Sequence, residues 1–93
     1  MEGKGIYYWN DGNIYEGDFK NGLREGLGIL RINNKDKYIG QWKNDKKDGK
    51  GIYYFNNGDR RMGDFSNGEP IGKHITLTQS GEVKTEYFKW NIF

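Results

Sequence analysis

The residues that could carry acid–base chemistry are few in this chain and do not form a cluster. His74 is the only histidine among 93 residues, and the chain has no cysteine. A nucleophilic triad needs a histidine between a nucleophile and a carboxylate, and the sequence around His74 supplies neither a cysteine nor a carboxylate pair. We therefore expect His74 to have a structural or solvent-exposed role.

The carboxylates are numerous, but their positions favour solvated strand sites over a reaction centre. Glu16, Asp18 and Asp64 fall within predicted strands, and nothing in the sequence would raise their pKa values. The acidic stretch from Asn44 to Gly49 lacks the alternate ligand spacing and the distal glutamate of a calcium loop. The sequence thus predicts no enzyme, no metal site, no cofactor and no small-molecule substrate.

Glycines separated by one residue are the motif most comparable to a nucleotide-binding loop. Two of these pairs are Gly26-Leu27-Gly28 and Gly49-Lys50-Gly51. A dinucleotide loop also needs a third glycine at a fixed spacing and a following helix, and the sequence predicts neither here. We expect these pairs to stand at the start of strands, where they would permit a tight bend or a positive φ.

Composition restricts the class of protein further. The net charge of +2, from 15 basic and 13 acidic residues, is nearly balanced, so we expect no nucleic-acid binding. Hydrophobic residues make up only 33%, too few for a large core, but aromatics reach 16%, too many for a disordered chain. The lack of cysteine and of any long apolar run suggests a cytoplasmic protein, and association with the cytoskeleton or with a membrane is compatible with it.

The strongest signal is a repeat of 23 residues without insertion or deletion. The glycine columns are Gly3, Gly26, Gly49 and Gly72, then Gly5, Gly28 and Gly51, then Gly17, Gly40 and Gly63. An aromatic column recurs in step with them: Phe19, Trp42, Phe65 and Phe88. This periodicity indicates one small supersecondary unit stacked several times, an architecture that usually displays a surface for binding.

Each unit has the pattern of a β-hairpin. Residues 5–9 and 14–19 are β-prone, and the Asn-Asp-Gly-Asn run between them suits a turn. A second turn, Lys20–Gly26, is expected to link this hairpin to the next. The sequence predicts one domain over residues 1–93, with hairpins at about 3–25, 26–48 and 49–71 and a degenerate fourth hairpin or cap at 72–93.

Alternation along the strands assigns side chains to faces. Tyr7 and Trp9 should point to one face, and Tyr15, Gly17 and Phe19 should share a face in the second strand. A glycine between aromatics leaves a trough in which a neighbouring ring can lie flat against backbone. The glycine columns are therefore expected to hold rings in place.

These residues resemble the MORN repeat, whose pattern is Tyr-x-Gly-x-Trp/Phe-x-x-Gly followed by Gly-x-Gly. The matching segments are Tyr15–Gly22 with Gly26–Gly28, Tyr38–Trp42 with Gly49–Gly51, and Gly63–Gly68. The resemblance covers residues 3 to about 72 closely. It implies an all-β fold, an elongated single-layer antiparallel sheet shaped as a groove, which serves as a scaffold, dimerisation surface or protein-docking platform.

An aromatic groove is the first binding hypothesis, because a one-layer sheet cannot bury both faces by itself. It would take a helix or an extended peptide of a protein partner, or a second copy of the chain. The rings can also simply pack on one another and on the glycine troughs. The candidate partner-binding residues are Tyr7, Trp9, Tyr15, Phe19, Tyr38, Trp42, Tyr53, Phe55 and Phe65.

Weak binding to phosphoinositides or another anionic membrane surface is the alternative hypothesis. It would use the lysine-rich turn region, with Lys43, Lys46, Lys47 and Lys50 as candidates. Each basic residue near an anionic surface contributes only about 1 kcal/mol, so adsorption would be weak and salt-sensitive. A solvated turn face is the simpler interpretation of the same residues.

The repeat pattern decays towards the C-terminus. His74, Lys84 and Glu86 replace a glycine, a tyrosine and a glycine of the earlier units, which predicts a polar cap that protects the sheet edge. The N-terminal hairpin has no such cap, so we expect a trimmed fragment or an edge that associates. Phe88, Trp90 and Ile92 make the last segment apolar on one face, and it would fold back onto the sheet or dock on a second copy.

Overall fold

The computed structural model describes residues 2–89, and these form eight β-strands and no helix. The strands are β1 Gly3–Tyr8, β2 Ile14–Lys20, β3 Leu23–Arg31, β4 Lys37–Lys43, β5 Lys46–Tyr54, β6 Arg60–Ser66, β7 Glu69–Leu77 and β8 Val83–Phe88. Each strand pairs in antiparallel fashion with the next one in sequence, so the sheet has the order β1 to β8. The predicted all-β, single-layer antiparallel sheet is confirmed.

The described chain measures 40 × 34 × 19 Å. Eight strands spaced by roughly 4.8 Å account for one of the two long dimensions. The third dimension exceeds that of a flat sheet because neighbouring strands are rotated by their right-handed twist. The sheet therefore has two distinct faces, and the aromatic and glycine columns lie on one of them, which we call the aromatic face.

Two kinds of turn alternate along the chain. The turn after β1 closes with the amide of Trp9 donating to the carbonyl oxygen of Asn13 at 3.0 Å, and Gly12 within it has a φ of 95°. The turn after β2 contains only Asn21 and Gly22, both with positive φ, as a two-residue hairpin of type I′ requires. The predicted linker Lys20–Gly26 was too long, because β3 already begins at Leu23.

In the pairs Gly26–Gly28 and Gly49–Gly51 the first glycine lies inside a strand, whereas Gly3 is the first residue of β1. Gly17 pairs with Gly28 while Phe19 pairs with Arg24, so three residues of β3 oppose one residue of β2 in a β-bulge. Gly26 sits in this bulge with a φ of +76°, a conformation that residues with a Cβ rarely adopt. The expected positive φ is confirmed for Gly26 and Gly49, but it is wrong for the second glycine of each pair, because Gly28 and Gly51 do not have one.

Carboxylates connect the turns of successive hairpins. Asp36 accepts a hydrogen bond from the amide of Asn56 at 2.8 Å, and Asp59 accepts one from the amide of Gln79 at 2.9 Å. At the opposite ends of the strands, Glu25 accepts a hydrogen bond from the amide of Asn44 at 3.2 Å. Each donor lies 19 or 20 residues after its acceptor, so these bonds join one repeat to the next.

The final hairpin continues the sheet to its edge strand, β8. Lys84 and Glu86 on β8 are exposed, but so are the apolar side chains of Val83 and Tyr87, and the polar cap stays a prediction. Phe88 is half-buried, with its ring centroid 4.9 Å from that of His74. Trp90 and Ile92 lie outside the described residues, so the expected fold-back or docking of the last segment stays a prediction.

The aromatic face as candidate functional site

Tyr15 and Tyr38 occupy equivalent places on the aromatic face and are both fully buried. The ring of Tyr15 lies over Gly28, and a methyl group added there would overlap the phenol. Tyr38 lies over Gly51 in the same way. The predicted glycine trough exists, but the ring lies over Gly28, the partner of Gly17 on the next strand, and not over Gly17 itself.

The hydroxyl groups of these tyrosines have fixed acceptors. Tyr15 donates to the carbonyl oxygen of Asp18 at 3.0 Å, and Tyr38 donates to that of Gln41 at 3.3 Å. Burial, followed by the nearby charge of Asp18, raises the pKa of Tyr15 to about 12. Burial, followed by the charge of Asp48, raises the pKa of Tyr38 to about 12. Both phenols therefore remain neutral donors at any physiological pH.

His74 takes the place of the tyrosine in the third unit. The tyrosine position is Arg61 there, and the ring over Gly63 comes instead from His74 on the neighbouring strand. Its Nε2 lies 2.8 Å from the carbonyl oxygen of Asp64, the residue equivalent to Asp18 and Gln41. A carbonyl can only accept, so Nε2 carries the proton. The predicted structural role of His74 is correct.

The buried rings and the half-buried ring of Phe88 form a continuous series that we call the ring ladder. Its members in spatial order are Phe19, Tyr15, Trp42, Tyr38, Phe65, His74 and Phe88. Successive centroids lie between 4.9 and 5.5 Å apart, with interplanar angles from 74° to 90°. Edge-to-face pairs of this kind contribute about 0.5–1.5 kcal/mol each beyond the area they bury. The ladder is the core of a protein that has only one layer.

The candidate partner-binding residues divide into two groups by exposure. Tyr15, Phe19, Tyr38, Trp42 and Phe65 belong to the ring ladder and are at most 8% exposed. They support the surface but offer little of it to a partner.

The remaining candidates form an accessible strip together with Leu30. This strip consists of Tyr7, Trp9, Leu30, Tyr53 and Phe55, all half-buried or exposed. Two ring pairs define its ends, Tyr7 with Trp9 at 4.8 Å between centroids and Tyr53 with Phe55 at 4.7 Å. Trp9, Leu30 and Tyr53 also pack against the buried rings below.

Three cations lie on the same face, and we call them the cation row: Arg24, Lys47 and Arg61. The guanidinium of Arg24 lies over the Trp42 ring at 4.4 Å from its centroid and over the Trp9 ring at 5.3 Å. The Nζ of Lys47 lies 4.8 Å from the centroid of the Tyr38 ring and 5.2 Å from that of the Tyr53 ring. Sequence reasoning missed Arg24 as part of this face. Its signal was present, because Arg24 and Lys47 are 23 residues apart and thus share a repeat column.

Arg24 is held in place by Asp45. Its Nε lies 2.6 Å from Oδ1 of Asp45, and its terminal nitrogen donates to the Asp45 carbonyl oxygen at 2.8 Å. Asp45 has a φ of 72°, because it stands where Gly22 and Gly68 stand in the other turns. Burial opposes the charged form of Asp45, but the hydrogen bonds and charge of Arg24 outweigh it and lower the carboxyl pKa.

The four candidate lipid-binding lysines do not form one patch. Lys47 pairs across the sheet with Trp42 and is half-buried on the aromatic face. Lys43 pairs directly with Lys46, and alternation directs both away from that face. Lys50 also points to the opposite face, where its Nζ lies 3.7 Å from Asp64. The structure therefore brings these lysines to two sides of the sheet.

Two adjoining cavities lie along the aromatic face beside Arg24. One, of about 250 Å³, is lined by Trp9, Arg24 and Leu30 among others. The second, of about 350 Å³, is bordered by Arg24, Leu30, Trp42 and Lys47. Together they connect the accessible strip with the cation row.

Residues 2–89 contain no group of three or more histidine, aspartate or glutamate side chains placed to hold a metal ion. No helix long and apolar enough to cross a membrane occurs within the same residues. The aromatic face of this part of the chain consists of a buried aromatic core beneath the accessible strip and the cation row.

Comparison with known families identifies the repeat. The family model described as MORN repeat matches residues 1–14, 15–37 and 38–60. The third match ends at the start of β6, but the same hairpin geometry continues through β8. Comparison with curated proteins gave no match.

Proposed function

This chain belongs to the MORN repeat family, and we propose that it is a docking module that holds a segment of a protein partner on its aromatic face. The MORN repeat is a non-catalytic module generally associated with protein or membrane interaction. Of these two kinds of interaction, we favour binding of a protein, and we place it on the aromatic face. Its main support is the accessible strip, an apolar row that the chain itself leaves partly uncovered.

The dimensions of the strip suit a short peptide or helix. Tyr7, Leu30 and Tyr53 lie on β1, β3 and β5, so successive members are two strands apart. At roughly 4.8 Å per strand, the strip extends over about 19 Å, the length of about six residues of extended chain. A helix would need about thirteen residues to cover the same distance. Either segment could place apolar side chains against both ring pairs.

Aromatic side chains that pack on the buried rings with one face and are exposed to solvent on the other are good contact residues for a partner. They lose little conformational entropy on binding, because the ring ladder already fixes their rotamers. Trp9 and Tyr53 have this property, since both pack on the buried rings and both remain half-exposed. The membrane alternative has less support, because its four lysines lie on two faces.

Trp9→Ala and Tyr8→Ala form a matched pair for testing the surface. The two residues are adjacent in sequence, but Trp9 belongs to the accessible strip and Tyr8, 67% exposed, points to the opposite face. Twelve-residue peptides would be selected from a random display library on the wild-type protein. We expect the selected peptides to bind at least tenfold more weakly to Trp9→Ala and equally well to Tyr8→Ala, a loss of about 1.4 kcal/mol or more.

The purified protein also serves to test the alternative function, binding to an anionic membrane. Sedimentation with anionic vesicles at low and high salt would measure membrane adsorption of the wild type and of Lys43→Glu with Lys46→Glu. The proposed function would be contradicted if the selected peptides bound Trp9→Ala as tightly as the wild type. It would also be contradicted by salt-sensitive vesicle binding without any peptide enrichment. Circular dichroism of each variant checks that the sheet is intact.

A further inference from the structure

We propose that the protein segment bound on the aromatic face is acidic, with Asp or Glu carboxylates on Lys47 and Arg61 beside apolar side chains on Tyr53 and Phe55. This inference rests on the proposed function and adds the chemistry of the partner. It is carried by the cation row, three positive charges set among aromatic rings of which only one has a carboxylate at ion-pairing distance within residues 2–89.

Lys47 is the central member of the cation row. Its side chain is half-buried, and its Nζ faces three rings, those of Tyr38, Tyr53 and Phe65. Among the described residues it forms no ion pair. Rings stabilise a cation only in part, because they cannot replace the hydrogen bonds that water provides to an ammonium group. Lys47 therefore retains the capacity to donate to an incoming anion.

Arg61 shows the same lack of an acceptor more directly. It stands in the column of Tyr15 and Tyr38, and its guanidinium lies 5.7 Å from the centroid of Phe88. Its Nε is buried without a hydrogen-bond partner in the described part of the chain. A buried N–H of a charged group without an acceptor is costly, and a carboxylate could accept two bonds from the guanidinium fork.

The three charges also act on one another. Burial first, and then the positive charges of Arg61 and Arg24, lower the pKa of Lys47. Only Arg24 has a local counter-charge, which is Asp45. An anionic ligand would relieve the repulsion that the other two cations experience.

Most of the nearby carboxylates of the chain are engaged in other hydrogen bonds. Most of those at the ends of the hairpins accept hydrogen bonds from backbone amides of the following turn, as Asp36, Asp48 and Asp59 do for Asn56, Asn67 and Gln79. Glu69 borders the same cavity as Lys47, and Glu86 borders a cavity with Arg61, but neither carboxylate makes an ion pair within residues 2–89. The face thus presents unmatched cations beside an apolar strip, the complement of an acidic, partly apolar segment.

A peptide partner fits this arrangement better than a free anion. The cations are spread along the face, with Arg24 on β3, Lys47 on β5 and Arg61 on β6. Arg61 pairs directly with Tyr53 across β5 and β6, and the Nζ of Lys47 lies 5.2 Å from the centroid of the same Tyr53 ring. A single peptide segment can therefore place carboxylates on both cations while an apolar side chain contacts Tyr53 between them.

Lys47→Met tests the proposal because it removes the charge and keeps most of the side-chain length. Lys50→Met is its matched control on the same strand, since Lys50 is exposed on the opposite face and pairs with Asp64. Random twelve-residue peptides would be selected in parallel on the wild type and on both variants. The mean net charge of the enriched peptides is the measurement, and their affinities at 50 and 500 mM salt are a second one.

We expect the wild type and Lys50→Met to enrich peptides with a negative net charge. Lys47→Met should shift the enriched charge towards zero and bind the wild-type peptides about tenfold more weakly, because a charge-assisted hydrogen bond is lost. Enriched peptides that are neutral or basic on the wild type would overturn the acidic partner but leave the docking function standing. No enrichment at all would overturn both. Equal loss in Lys47→Met and Lys50→Met would show a non-specific charge effect and would also overturn the assignment.

Discussion

The ring of His74 fills over Gly63 the space that Tyr15 fills over Gly28, although the two rings come from opposite members of their strand pairs. Both rings reach the same repeat-equivalent carbonyl, that of Asp64 for the histidine and that of Asp18 for the tyrosine. The third unit thus keeps the buried ring and its hydrogen bond while exchanging which strand provides it. This exchange also frees position 61 for an arginine.

The first prediction follows from this exchange. His74→Gly should lower the free energy of unfolding by about 3 kcal/mol, because it removes a buried ring and leaves a cavity over Gly63. Arg61→Tyr alone should cost about 2 kcal/mol, because the new ring would compete with His74 for the same space. The double variant recreates the tyrosine and paired glycines of the first two units. Urea unfolding should place it within about 1 kcal/mol of the wild type.

Additive losses in the double variant would contradict this interpretation. They would mean that the tyrosine cannot reach the Asp64 carbonyl from position 61, so that the equivalence of the units ends at β6.

The second prediction concerns the glycine trough. Gly28→Ala should destabilise the sheet by about 3 kcal/mol, because the added methyl overlaps the Tyr15 ring. In a Tyr15→Ala background, the same change should cost less than about 1 kcal/mol, since the ring is already gone. Four unfolding curves form the cycle, and equal costs of Gly28→Ala in both backgrounds would refute the trough.

The sites at Gly28 and Gly63 show how much of the fold could be predicted from the sequence. The period of the glycine and aromatic columns was enough to predict the hairpins, the single sheet and a trough for a ring, because a residue without a Cβ beside rings has few other uses. It placed that trough at Gly17, and only the pairing of strands shows that the ring lies over Gly28. The bulge at Gly26 was not predictable in its position, since a shift of register depends on pairing across two strands. His74 was judged by the lack of catalytic neighbours, which identified its role as structural but not its place in the core.

The binding surface was predicted less completely, for a physical reason. Sequence alternation assigns rings to a face but cannot tell which rings cover one another, and Tyr38 and Trp42 proved to be core rather than surface. Arg24 was assigned to a turn, because the early start of β3 could not be foreseen. The repeat column groups Arg24 with Lys47, but the position of Arg24 beside Trp9 and Trp42 follows only from the register of the strands.

The third prediction concerns alkaline pH. The pKa values of Tyr15 and Tyr38 are raised from 10.0 to about 12, so the neutral phenols stabilise the fold. This contribution is fully present below pH 10 and is lost as the pH rises through about 12. Tyr38→Phe should lose about 1 kcal/mol at pH 7 with its hydrogen bond, and its stability should then fall less steeply above pH 10 than that of the wild type.

Unfolding midpoints in urea at pH values from 8 to about 12 would measure this difference. Tyr8→Phe is the control, because its ring lies on the opposite face and should leave stability at pH 7 unchanged. Parallel pH curves for the wild type and Tyr38→Phe would show that the buried phenol does not contribute to the alkaline loss.

The fourth prediction separates the two roles of Asp45, whose backbone is left-handed and whose carboxylate holds Arg24. Its pKa is lowered from 3.8, so the ion pair stabilises the fold above about pH 3.8 and is lost as the pH falls further. Asp45→Asn keeps the strained backbone and loses the pair, so it should cost about 1 kcal/mol at pH 7 and flatten the acid limb. Asp45→Gly also loses the pair but removes about 1 kcal/mol of strain from the positive φ at this position, so it should be nearly neutral at pH 7.

Thermal unfolding of the wild type, Asp45→Asn and Asp45→Gly from pH 3 to 7 checks both effects. If Asp45→Gly were as unstable as Asp45→Asn, the positive φ would carry no strain at this turn, and the carboxylate alone would explain the residue.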